Sequence, residues 1–82
     1  MTPKDAFNII KEKHQEEKVI ECLEFDDFFA FCFVDKEVDE EAEFGSAYNT
    51  VLKKNGTLST FNPTDNIQAY MVAKPIKLNA LI

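Results

Sequence analysis

The sequence predicts an α+β domain: a four-stranded antiparallel sheet with an N-terminal helix and a short C-terminal helix on one face. Three observations lead there. A helix-start signature opens the chain. An apolar run, Phe28-Phe29-Ala30-Phe31-Cys32-Phe33-Val34, has the length and doubly filled parity of a strand buried on both faces. An Asn55-Gly56 pair between two short β-type segments marks a hairpin. With 82 residues, 45% of them hydrophobic and 12% aromatic, residues 1–82 are read as one ordered domain.

Thr2-Pro3-Lys4-Asp5 supplies a cap, a proline suited to the first helical position and an acid at the positive end. Ala6, Phe7, Ile10 and His14 follow at helical spacing, so a helix is predicted from about Pro3 to Glu16. Val19–Phe25 reads as the first strand, and Asp26-Asp27 as a tight turn into the second, Phe28–Val34. That register puts Ile20, Cys22 and Glu24 on one face with Phe29, Phe31 and Phe33. Val19, Leu23 and Phe25 then share the other face with Phe28, Ala30 and Cys32, and the two cysteines cannot bond. A one-residue bulge would instead set Cys22 opposite Cys32.

Tyr48–Lys53 and Thr57–Phe61 complete the sheet, with Gly56 expected at positive φ either in a type I′ turn or at a glycine bulge. Asn62-Pro63-Thr64-Asp65 repeats the helix-start grammar. A second helix should reach about Ala73, burying Ile67, Tyr70 and Met71, with Pro75 barring its continuation. For the tail Ile76–Ile82 the sequence leaves docking and fraying both open. Phe31 should sit in mid-sheet against Phe7 and Ile10. A strand this apolar needs cover on both faces, which two short helices on one face do not provide. The sheet curls over itself, the tail crosses it, or a second chain covers it; a homodimer or a partner-binding face is favoured.

Charge is sharply segregated. Residues 21–43 hold ten carboxylates against Lys36, a net of −9, while the rest of the chain carries eight lysines against five carboxylates, +3, and the whole −6. There is no arginine. Nucleic acids and anionic membrane surfaces are bound through clustered Lys and Arg, so neither is expected as a partner. No apolar run approaches the roughly 20 residues of a membrane span. The opening residues lack a secretion pattern. A cytoplasmic location with reduced thiols is the expectation.

Catalytic and metal-binding arrangements find little support. His14 is the single histidine, without a paired nucleophile or orienting group. The cysteines lack C-x-x-C spacing and read as small hydrophobes. Asp35, Glu37, Asp39, Glu41 and Glu43 alternate like calcium-loop ligands, but the glycine required at the sixth position is Glu40, and strands flank the run where helices are needed. With two glycines there is no phosphate-cradling loop. Glu24 is the one carboxylate facing phenylalanines, unless it sits wetted at the strand end. No enzyme activity, cofactor or metal is expected. The acidic loop at 35–45 remains, and Asp35, Glu37, Asp39, Glu40, Glu41 and Glu43 are the expected partner-binding residues. The plainer reading is a solubilising loop that keeps an apolar strand from aggregating.

Residues Gly45 through Pro63 run Gly-Ser-Ala-Tyr-Asn-Thr-Val-Leu-Lys-Lys-Asn-Gly-Thr-Leu-Ser-Thr-Phe-Asn-Pro. This small-residue cluster, Tyr-x-x-Val strand, Lys-Lys-x-Gly turn and strand before proline resemble small bacterial immunity proteins, in particular the immunity protein 35 (YrhB-like) group. The aromatic strand Phe28–Phe33 fits the same pattern, and the resemblance covers about three strands. The chain departs from it in lacking tryptophan and in carrying the acidic loop. The resemblance implies a helix, an antiparallel sheet, a closing helix and neutralisation of a toxin by binding, and it carries over no catalytic residue. Joined to the charge pattern, it predicts a protein partner such as a basic toxin. The alternative is a self-associating interaction domain whose acidic loop serves solubility alone.

Overall fold

The computed structural model describes residues 1–35, 48–62 and 65–81. The chain builds α1 (Pro3–Ile10), β1 (Glu17–Glu24), β2 (Phe28–Asp35), β3 (Tyr48–Leu52), β4 (Leu58–Phe61), α2 (Ile67–Met71) and β5 (Lys74–Ile76), with 3₁₀ turns at Lys11–Lys13 and Leu78–Leu81. The expected α+β class holds, with one more strand than predicted. All pairings are antiparallel, in the order β4-β3-β2-β1-β5.

The start of α1 follows the sequence closely. The Thr2 hydroxyl accepts from the Asp5 N–H at 3.1 Å while the Asp5 carboxylate accepts from the Thr2 N–H at 3.1 Å, the reciprocal capping box. The helix does not reach Glu16, because after Ile10 it tightens into the 3₁₀ turn and releases His14 toward β1. Its inward residues, Ala6 and Ile10, are buried.

The β1–β2 hairpin turns at Asp26-Asp27, closed by the Phe25 N–H to the Phe28 carbonyl at 2.9 Å. Glu24 pairs with Phe29 and Cys22 with Phe31, as expected. A shift between Val19 and Glu21 then displaces one residue, so Val19, and not Ile20, pairs with Phe33. Val19 and Ile20 consequently each pack on the face opposite to the one predicted. The bulge lies beyond Cys22 from the turn, so the cysteines stay on opposite faces, both buried and free.

At the β3–β4 turn Gly56 has φ +74, while no other described residue has positive φ. Asn55 therefore lies outside the left-handed region and the turn is not type I′. The Gly56 N–H reaches back to the Leu52 carbonyl at 2.8 Å, a wider turn in which only the glycine takes the left-handed geometry. A Cβ there would also lie 3.3 Å from Ile9 Cδ1.

Two apolar layers result. The first face gathers Ala6, Ile10, Cys22, Phe29, Phe31, Val51 and Leu81. Phe31 is fully buried, its ring 6.0 Å from that of Phe7. The tail, left open by the sequence, docks here: β5 pairs with β1, and Leu81 is 2% exposed. The second face holds Leu23, Phe25, Ala30, Cys32, Tyr48 and Phe61, with Tyr70 and Ala73 from α2 and the residues after it packed against them. The two helices thus lie against opposite faces, contrary to the prediction. Helix α2 starts after Asn66 and not after Asn62, without a side-chain cap since the Asn66 amide donates back to the Asn62 carbonyl, and it is only about one turn long. Ile67 and Met71, expected inside, are 60% and 76% exposed, because five residues present one apolar edge and Tyr70 occupies it.

Candidate functional site

Of the predicted partner-binding residues, Asp35 closes β2 opposite Glu17. Glu37, Asp39, Glu40, Glu41 and Glu43 lie outside the described residues, as does most of the 35–45 acidic loop. The segment 36–47 joins β2 to β3, neighbouring central strands for which a hairpin connection of about 2–5 residues would suffice.

At this end of the sheet His14 stacks flat on Phe33, ring centroids 4.2 Å apart, with Nδ1 2.6 Å from Glu17 Oε1. The ring is held by packing and by one carboxylate, and the geometry anchors the end of β1. Further along, Glu21, Cys32 and Tyr48 lie in a row across β1, β2 and β3 on the second face. Cys32 is small enough for the side chains on either side to meet over it: the Tyr48 hydroxyl donates to Glu21 Oε1 at 2.6 Å and also meets Tyr70. Burial first, then these hydrogen bonds, raises the Tyr48 phenol above its ordinary range, so it stays a neutral donor. The sequence does not single out Glu21, because its partner Tyr48 lies two strands away and no local pattern signals the pair.

The opposite end carries the Asp26-Asp27 turn. Glu24 and Lys53 form an ion pair of 2.8 Å at this end of the sheet, with the lysine ammonium 4.9 Å from the centre of the Phe29 ring. Glu24 is therefore neither sunk among the phenylalanines nor simply hydrated. Beside it a cleft of about 300 Å³ is lined by Phe25, Phe28, Asp26, Asp27 and Val72 among others. A second, of about 380 Å³, lies across Phe28 and Ala69 toward Phe61 and Asn66. Both flank α2, so the thin cover of the second face leaves grooves on either side.

Burial, and to a lesser degree the charges of Glu24 and Glu21, pushes the Cys22 thiol up to about 12, which keeps it protonated and unreactive at neutral pH. Burial likewise raises Cys32. Among the described residues no three His, Cys, Asp or Glu side chains are grouped to hold a metal ion, and every buried side-chain N or O has a hydrogen-bond partner. No described helix is long and apolar enough to cross a membrane. Compared with known protein families, curated proteins and solved structures, the chain matches none.

Proposed function

We propose that this chain is a non-enzymatic protein-binding domain of the cytoplasm, immunity-like in kind, whose acidic segment recognises a basic partner such as a toxin. The observation that carries this reading is charge segregation: −9 over residues 21–43 in a chain otherwise +3. Self-repulsion within such a run costs fold stability, and a basic surface offsets that cost on binding. Complementary charge also speeds association, with a rate that falls as salt rises. Asp35, Glu37, Asp39, Glu40, Glu41 and Glu43 are the contact residues of this reading.

The test is charge reversal at Asp39, Glu40 and Glu41 in a pull-down from the source cell, at low and at physiological salt. Loss of one specific protein at both salts supports recognition. Unchanged binding, together with greater aggregation of the variant, leaves the segment as a solubility device and sinks the proposal. A second reading, self-association, is favoured by a separate observation: Ile67, Met71 and Val72 are 60–77% exposed around α2, and Leu58 is exposed at the sheet edge.

A further inference from the structure

The two edges of the sheet differ in a way that follows from hydrogen-bond parity. In an antiparallel ladder alternate residues aim their main-chain groups at one neighbour or the other. The Phe25 N–H bonds the Phe28 carbonyl, which fixes Leu23 and Ala30 as a bonded pair and turns Cys22 and Glu24 toward β5. Their partners there are Ile76 and Lys74, so the outward residue of β5 is Pro75, which has no N–H. That edge lacks its donor and is flanked by Lys74 and Lys77, the usual guards against pairing with another chain.

Strand β4 has no such guard. The Leu52 N–H donates to the Thr57 carbonyl at 2.9 Å, which makes Thr50/Ser59 and Tyr48/Phe61 the inward pairs and leaves Leu58 and Thr60 facing outward. Leu58, Ser59 and Thr60 are all exposed, and the strand contains neither proline nor charge. The parity aims the N–H and C=O groups of Leu58 and Thr60 away from β3, and among the described residues no strand pairs with β4 on that side.

We propose that β4 is a self-pairing edge, joining two copies of this chain into one continuous sheet. This gives the self-association reading its surface and rests on that reading. A twofold axis normal to the sheet at Ser59 pairs Leu58 of each protomer with Thr60 of its partner, so both outward residues exchange their main-chain bonds, about four in all. The same axis keeps equivalent faces together, as side-chain alternation requires.

Charge favours this edge over others for two molecules of net −6. The described β3–β4 stretch, residues 48–62, contains Lys53 and Lys54 and no carboxylate. Antiparallel pairing carries exposed Lys54 of one copy, next to the Glu24-paired Lys53, toward the segment after β4 in the other, where Asp65 is exposed, and does so twice. Apolar contact adds to the ladder. Leu58 shares the first-face side with Val51, and Ile9 and Met1, 38% and 47% exposed, reach the neighbouring Gly56.

The test is sedimentation equilibrium of the parent, Thr60→Pro, Thr60→Lys and Met71→Lys across a hundredfold concentration range. The parent is expected to approach twice its 9.4 kDa. Thr60→Pro removes only an outward donor, so it should raise the dissociation constant about tenfold while circular dichroism and melting temperature hold. Thr60→Lys gives the same loss by charge should the proline variant misfold, and Met71→Lys should dimerise like the parent. A parent that stays monomeric overturns both the self-association reading and this edge. A parent dimer that both Thr60 variants leave intact overturns the edge alone, and its loss in Met71→Lys transfers the contact to α2.

Discussion

The two faces of this sheet are built by the same strands but are finished differently. On the first, α1 and the C-terminal tail close over Phe29, Phe31 and Val51, and Ile10 and Leu81 are almost wholly buried in the seam. On the second, a single helical turn lays Tyr70 near Tyr48 and leaves Met71 and Val72 more than three-quarters exposed. Stability concentrates where segments distant in sequence converge. The thin face keeps its order through strand-to-strand contacts, such as the Phe25–Phe28 stack at 4.5 Å, and not through its cover.

The largest test of this contrast is Phe31→Ala. Truncating a fully buried phenylalanine costs roughly 3–5 kcal/mol, a large share of a small domain's stability. Denaturant titration should find the variant close to unfolding, and a midpoint near the parent's would remove Phe31 from the core. Leu81→Ala comes next, at about 2 kcal/mol, since the cavity left near a chain end can partly collapse. A neutral result would mean that the tail does not close the first face.

The protonated Cys22 thiol makes a third prediction. Its folded pKa, about 12, lies above its ordinary 9.0. The contribution is therefore fully present below pH 9 and is lost as pH rises from about 9 to 12, where the unfolded chain ionises first. Tyr48 acts in the same direction at higher pH. Cys22→Ala should flatten the alkaline limb of stability against pH, and an unchanged limb would contradict the assignment. Both cysteines should react slowly with a thiol reagent in the native state and at once in denaturant. The smallest effect belongs to the thin face: Met71→Lys should change stability by no more than about 0.5 kcal/mol.

How well the sequence foretold these features depends on how local their causes are. The Thr2 cap, the Asp26-Asp27 hairpin, the buried aromatic strand and the positive φ of Gly56 each rest on contiguous residues and could be read directly. The bulge could not, because Val19 and Ile20 are both β-branched and apolar and either suits either face. Strand β5 was hidden by Pro75, which reads as a helix stop and is tolerated because its missing N–H points away from β1. The sides taken by α2 and the tail depend on tertiary packing, for which neither segment carries enough periodicity. The acidic residues were legible as a charge pattern, and their role as a binding surface stays a proposal.

Native-state hydrogen exchange tests the unequal faces most directly. Amides in β2 around Phe31 should exchange only through global unfolding, whereas Tyr70 and Ala73, whose N–H groups bond to Asn66 and Tyr70 within one exposed turn, should exchange through local opening far sooner. Protection of the α2 amides equal to that of β2, falling with denaturant along the same slope, would contradict the account and make the second face as firmly closed as the first.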